Sequence, residues 1–88
     1  MNIVFSKTAW EQYTEWQSTD KKTLKKINEL IKDICRNGVL EGKGKPERLK
    51  YFDNEVYSRR ITLEHRLVYN FDKNNNLIIY ACKGHYKD

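Results

Sequence analysis

The chain has 88 residues, 17 of them Lys or Arg and 12 Asp or Glu, for a formal net charge of +5. A chain of that length is expected to be one small domain, 1–88, burying roughly 60 to 65% of its unfolded surface, which excludes a two-domain enzyme or a large cofactor fold. Eleven aromatic residues and a hydrophobic share of 39% exclude a disordered chain.

The first element is a short β-rich run, Asn2-Ile3-Val4-Phe5, ending at Ser6. Thr8-Ala9-Trp10-Glu11 then matches the Ser/Thr-x-x-Glu box that satisfies free amides at a helix start. Ala9, Trp10, Tyr13 and Trp16 recur at helical spacing and are expected to form the core face of a first helix. Ser18-Thr19-Asp20 interrupts it and offers a new N-cap. Leu24, Ile27, Ile31 and Ile34 repeat at three, four and three, giving a second amphipathic helix to about Arg36, closed by Asn37-Gly38. The two helices are expected to form a hairpin. Lys21, Lys22, Lys25 and Lys26 crowd the second helix's first turns, where the helix dipole disfavours cations, so they are a solvated face or a partner surface.

A loop, Glu41-Gly42-Lys43-Gly44-Lys45-Pro46-Glu47-Arg48, follows and matches no phosphate-cradling fingerprint. Arg48–Phe52, Val56–Leu63, Leu67–Phe71 and Leu77–Cys82 read as strands of an antiparallel meander, with Asp53-Asn54-Glu55, 64–66 and 72–76 as turns. Leu77–Cys82 is also the longest apolar run, far short of the ~20 residues of a membrane-spanning helix. The N-terminus carries no basic leader of the secretory type, so the expected compartment is the cytoplasm, with no membrane partner. Cys35 and Cys82 lie outside any Cys-x-x-Cys spacing and are expected to be free thiols in or near the core, with neither metal nor cofactor implied.

Residues 1–44 carry eight basic and six acidic side chains and residues 45–88 carry nine and six, so the positive excess is no basic tail. Spread over a compact domain, it points to a polyanion, nucleic acid first, with solvated helix lysines as the alternative source. Strand alternation places Tyr57, Arg59 and Ile61 on one face and Val56, Ser58, Arg60 and Thr62 on the other, with Arg66, Val68 and Asn70 opposing Leu67, Tyr69 and Phe71. One sheet face is therefore expected to be apolar and the other charged. The charged face is expected to collect Arg60, Arg66, His85 and Tyr86, with Glu47, Arg48 and Lys50 entering from the loop.

That inventory suits cleavage of RNA by its own 2'-hydroxyl, which needs a base, an acid and cations. Glu47 would take the proton, His85 would protonate the leaving 5'-oxygen, and Arg66 with Arg60 or Lys50 would hold the phosphorane charge. Each residue also has a plainer role: Glu47 as a surface ion pair, Arg59-Arg60 as edge charges that resist aggregation, His85-Tyr86 as a frayed tail, with His65 an equally available imidazole. On the residues alone, a basic RNA-binding module leads.

Four blocks change the balance. Lys25-Lys26-Ile27-Asn28-Glu29-Leu30-Ile31-Lys32-Asp33, then Glu41 to Glu47 with Leu49-Lys50, then Ser58-Arg59-Arg60-Ile61-Thr62 with Glu64-His65-Arg66-Leu67-Val68-Tyr69, and finally His85-Tyr86 resemble the YoeB/Txe toxins of bacterial toxin-antitoxin pairs nearly end to end. The resemblance implies an α+β, RelE-like fold with two N-terminal helices packed on a small, mainly antiparallel β-sheet. It implies a ribosome-dependent endoribonuclease that cuts mRNA in the ribosomal A site and stops translation. Glu47 would be the general base, His85 the general acid and Arg66 the transition-state stabiliser. Lys50, Arg60 and Tyr86 would hold and orient the RNA, with Lys43 and Lys45 of the loop as further phosphate contacts.

The partners implied are a YefM-like antitoxin covering the active site, the ribosome with its mRNA, a second copy of the toxin, and operator DNA only as the toxin-antitoxin complex. The competing expectations are a non-catalytic basic module that blocks translation by occupying the ribosome, and a corepressor subunit. Tyr57 stands where the family often has Trp, and Lys87-Asp88 follow the His-Tyr pair where the family commonly ends. Gly84 directly before His85 is expected to loosen the acid's position in the free protein.

Overall fold

The computed structural model describes residues 1–50 and 55–85. In chain order the elements are β1 (Ile3–Phe5), α1 (Lys7–Thr19), α2 (Lys21–Asn37), β2 (Glu47–Arg48), β3 (Tyr57–Arg60), β4 (Arg66–Phe71) and β5 (Leu77–Ala81). Two helices therefore precede a sheet whose order is β1-β5-β4-β3-β2. β2 to β5 form the antiparallel meander, and β1 adds to β5 in parallel, with Phe5 opposite Ile79, which makes the sheet mixed. The last residues of the strand expected over Arg48–Phe52 and most of the Asp53-Asn54-Glu55 turn lie outside the described residues.

The start of α1 departs from the capping-box expectation. Ser6, not Thr8, is the N-cap: its Oγ accepts from the Ala9 amide at 3.0 Å and donates to the Tyr80 carbonyl at 2.9 Å. The Ser6 amide also donates to the Ile79 carbonyl, so the residue that leaves the sheet is the one left extended and free to cap. Asp20 serves both helices. Its amide closes α1 on the Trp16 carbonyl, and its carboxylate caps α2 by accepting from the Lys22 and Thr23 amides and the Thr23 hydroxyl. With one residue between them, the helices fold back on each other, and Tyr13 Oη donates to Asn28 Oδ1 at 2.6 Å across the seam.

Ala9 and Trp16 are buried as the spacing predicts, but Trp10 is 53% exposed. It falls outside the buried stripe and packs its ring on Phe5 and Tyr13 instead. On α2 the buried side is Thr23, Ile27, Leu30, Ile31 and Ile34, wider than the expected stripe by Thr23 and Leu30, with Leu24 half-buried. These side chains meet Tyr57, Leu67, Tyr69, Leu77 and Ile79 from one sheet face to make the main core. Cys82 is buried in that core and Cys35 is half-buried beside it, both as free thiols. Burial pushes the Cys82 thiol up to about 12, which keeps it protonated and inert.

The outer sheet face is not uniformly charged, because Leu49, Val68 and Ala81 form a second, small apolar cluster there with Val56 packed against it. Ala81 reaches that face through a bulge. Ile79 pairs with Tyr69 but Ala81 pairs with Val68, so the extra residue in β5 turns Ala81 outward and Cys82 into the core. The strand expected over Val56–Leu63 is also shorter. Thr62 Oγ1 accepts from the Glu64 and His65 amides and turns the chain after β3. No helix among the described residues is long and apolar enough to cross a membrane.

Arg59 is the largest departure from expectation. β3 is an interior strand, and Arg59 lies on its helix-facing side with no solvent exposure, so it is no edge charge. All five of its N–H donors are used. Nε donates to Tyr69 Oη at 2.9 Å, Nη1 to Asp33 Oδ2 at 2.5 Å and the Lys43 carbonyl at 2.9 Å, and Nη2 to the Gly38 and Glu41 carbonyls at 2.7 and 2.6 Å. Tyr69 Oη in turn donates to the Val39 carbonyl. One guanidinium thus ties β3 and β4 to α2 and to the loop after it. The loop's glycines follow from this: a Cβ at Gly42 would sit 1.9 Å from Asp33 Oδ2, and one at Gly44 would meet Leu30 and Arg59.

Replacing Arg59 with Met is expected to cost about 3–5 kcal/mol in urea unfolding, because Asp33, Tyr69 and three loop carbonyls lose their donor together. A loss under 1 kcal/mol would show that the loop holds without it. The Lys43 amide, with the Arg59 guanidinium, keeps the Asp33 carboxyl below its ordinary value against the opposing effect of burial. The folded state therefore binds fewer protons than the unfolded chain in acid. This contribution to stability is full above the unfolded Asp value and is lost as pH falls through the lowered folded one. Asp33→Asn is expected to remove that part of the acid limb, read as a flatter dependence of stability on pH below about 5.

Candidate active site

The sheet register decides which of the candidate residues meet. Glu47 pairs with Ser58 in β3, and cross-strand partners share a face, so Glu47 lies on the same face as Ser58 and Arg60. Arg60 pairs directly with Arg66. Two guanidinium side chains as register partners repel each other and cost sheet stability, so this pair is not explained by folding. The ion pairs among the described residues are Arg59 with Asp33 and Lys83 with Glu15, and neither neutralises Arg60 or Arg66.

Arg66 is largely buried and held from one side. Its Nη1 donates to the Thr62 carbonyl at 2.8 Å, with longer contacts to those of Leu63 and His65. Among the described residues nothing takes its Nε or Nη2 donors, so the turn 62–65 aims a guanidinium edge with open hydrogen-bonding capacity. Arg60 is half-buried and anchored through its backbone, its amide donating to the Gly44 carbonyl at 2.6 Å. The buried Arg59 clamp thereby continues, through Gly44, to the strand that carries Arg60 and to the loop that carries Glu47.

His85 is brought to the same end of the sheet by the continuation of β5. The Arg66 amide donates to the Gly84 carbonyl at 2.9 Å, and the Gly84 amide donates to His65 Nδ1 at 2.9 Å. Gly84 has φ +93°, a conformation that favours glycine, and both its polar groups are bonded, so it fixes the approach to His85 instead of loosening it. Helix α1 secures the residues before it. Gln12 Oε1 accepts from the Cys82 amide at 2.7 Å, Trp16 Nε1 donates to the Cys82 carbonyl at 2.9 Å, and Glu15 takes Lys83 Nζ at 2.6 Å. His65 was readable as an imidazole beside Arg66, but nothing in the sequence marked its bond to a residue nineteen positions away.

The structure thus gathers Arg60, Arg66 and the segment carrying His85 at one end of the outer sheet face, with Glu47 on that face at the neighbouring edge strand. Glu47 and His85 are exposed and, among the described residues, their side chains make no hydrogen bond or ion pair. Lys45 and Lys50 are exposed on either side of β2. Lys43 is placed differently: it lines a shallow groove with Glu29, Lys32, Asp33 and Arg36 beside α2. Tyr86 lies outside the described residues. Among those described, no three His, Cys, Asp or Glu side chains converge as a metal site requires. A cavity of about 400 Å³, lined by Ile3, Phe5, Tyr13, Asn28, Ile31 and Lys32, opens between β1 and the helices, and none of the candidate site residues lines it.

Chemically, the face offers a carboxylate without a partner among the described residues, an imidazole on a fastened strand end, and two cations held together. Residues 5–86 match the family described as YoeB-like toxin of bacterial type II toxin-antitoxin system. The chain is similar to Toxin YoeB of Escherichia coli strain K12, 52% identical over 98% of this chain and all of that one. Toxin YoeB of Synechocystis is 46% identical over 99% of each chain. The structure of a YoeB dimer from Staphylococcus aureus superposes with a TM-score of 0.91 at 57% identity, covering 98% of both chains, and a heterotetrameric YoeB-YefM complex from the same organism gives 0.88 with the same coverage. An archaeal RelE-RelB complex from Pyrococcus horikoshii, 17% identical with a TM-score of 0.73 over 99% of this chain and 97% of that one, shares the fold alone.

Proposed function

Because this chain belongs to the YoeB-like toxins of bacterial type II toxin-antitoxin systems, we propose that it is an endoribonuclease that cuts mRNA in the ribosomal A site, neutralised by a YefM-like antitoxin. The observation that carries the proposal is the Arg60–Arg66 register pair with the fastened His85 segment beside it. A pair of cations maintained against their own repulsion, one with its outer donors open, suits a dianionic phosphorane better than any role in the fold.

In the proposed reaction Glu47 removes the proton from the 2'-hydroxyl. The 2'-oxygen attacks the adjacent phosphorus, and Arg66 and Arg60 hold the charge on the non-bridging oxygens. His85 gives its proton to the departing 5'-oxygen as the P–O5' bond breaks. The products are a 2',3'-cyclic phosphate and a 5'-hydroxyl, and the proton lost by Glu47's substrate balances the one gained by the leaving group. Lys50, Tyr86 and the loop lysine Lys45 hold the phosphates on either side, whereas Lys43, in its groove beside α2, takes no part.

The openness of this face supports dependence on the ribosome. Acid and base are both exposed, so a second surface is needed to exclude water and press the message against them. The same positive face supports neutralisation by an antitoxin segment laid over it, and the Staphylococcus aureus relative forms a YoeB-YefM toxin-antitoxin complex. Operator DNA would be bound only by the toxin-antitoxin complex. A second toxin copy is a further partner by likeness to the Staphylococcus aureus dimer. A target on translating ribosomes places the activity in the cytoplasm.

On programmed ribosomes, Glu47→Gln and His85→Ala are each expected to slow message cleavage by roughly 100-fold or more while ribosome binding persists. Wild-type rates in both variants would remove these roles. Stalled ribosomes on intact message with the wild-type chain would instead identify a binding inhibitor.

A further inference from the structure

The bond between His65 and Gly84 couples two parts of the site that are far apart in the chain. His65 Nδ1 accepts the Gly84 amide, so this nitrogen carries no proton and the ring is the Nε2–H tautomer. The ring stands edge-on to Trp16, with centroids 4.9 Å apart. Its backbone is pinned as well: the His65 amide donates to Thr62 Oγ1, and its carbonyl accepts from the Ile61 amide and the Arg66 guanidinium. His65 is therefore a rigid acceptor, aimed at the residue immediately before His85.

We infer that His65 is a positioning residue for cleavage, fixing His85 against the Arg60–Arg66 pair through the Gly84 amide without itself touching the RNA. This rests on the proposed role of His85 as general acid. Gly84 lies where the backbone is least constrained, at φ +93°, and nothing lies within 4 Å of the Cβ it lacks. Packing does not hold this residue, so its two hydrogen bonds do. The bond from the Arg66 amide fixes the Gly84 carbonyl, and only the His65 bond fixes its amide. Losing the second frees the Lys83–Gly84 peptide and leaves the segment before His85 held by the Arg66 bond alone. An acid displaced by about 1 Å loses on the order of 100-fold in rate through misalignment alone.

Two substitutions separate the acceptor from the ring. His65→Phe keeps a ring against Trp16 and removes the acceptor. His65→Asn loses the ring and keeps Oδ1 where Nδ1 stands. In single-turnover assays on programmed ribosomes, Phe is expected to lower the maximal cleavage rate by about 10-fold or more with the half-saturating ribosome concentration unchanged. Asn is expected to restore the rate to within about threefold of wild type. Hydrogen exchange should show the Gly84 amide protected in the wild-type and Asn chains and open in the Phe chain.

Wild-type rates in the Phe variant would overturn the inference while leaving the cleavage reaction standing. So would an Asn variant as slow as Phe, or a Phe defect confined to the half-saturating concentration, since either marks a role in packing or binding. A wild-type chain that leaves message intact on the ribosome would overturn both this inference and the proposed function, whatever the Gly84 amide shows.

Discussion

The buried Arg59 guanidinium is the interaction on which the rest of this molecule depends. A charge withdrawn from water is costly, and its pairing with Asp33 does not by itself make the fold more stable than an apolar residue would. What it supplies is definition. Five directed bonds fix the relative places of α2, β3, β4 and the loop at 38–44, and the loop leads directly into Glu47. Two glycines are required there because a side chain would collide with Asp33 or with Arg59 and Leu30. The Gly-Lys loop is thus shaped by the charge beneath it, and its lysines are left outside.

The outer sheet face reverses that logic. Beneath the sheet every donor of a cation is satisfied; on the outer face Arg60 and Arg66 stand opposite each other with no acidic partner among the described residues. The main core supplies the stability that offsets this repulsion. Helix α1 contributes twice, burying Ala9 and Trp16 in the core and gripping residues 82 and 83 through Gln12, Trp16 and Glu15. The β5 bulge sends Cys82 inward to meet that grip, and the chain beyond it carries His85 toward Arg66. Core packing and placement of His85 are therefore one construction.

Much of this was legible in the sequence because its signals were local. The 3-4-3 stripe of α2 and the alternation of β3 and β4 each reported one element and one face. Alternation had also put Arg59 with Tyr57 and Ile61 on the apolar side. The alternative of an edge charge does not hold because the compensation comes from Asp33 and from loop carbonyls, partners that no periodicity reveals. Ser6 is not legible as the cap in the sequence, since what makes it one is its pairing with β5, a contact across nearly the whole chain. The β5 bulge, the outer cluster of Leu49, Val68 and Ala81, and the bond from Gly84 to His65 were hidden for the same reason. Residues such as Glu47, Arg66 and His85 were readable as chemistry, but only the register brought Arg66 to Arg60.

The central claim is that the message supplies its own nucleophile and this chain supplies only acid, base and positive charge. A message carrying a single 2'-deoxynucleotide on the 5' side of the cut, presented on programmed ribosomes, tests it most directly. The account predicts that cleavage at that position disappears while the toxin still binds and the all-ribose message is cut. Cleavage of the substituted message at the unsubstituted rate would mean that water or another group attacks the phosphorus, and the roles given to Glu47 and His85 would be wrong.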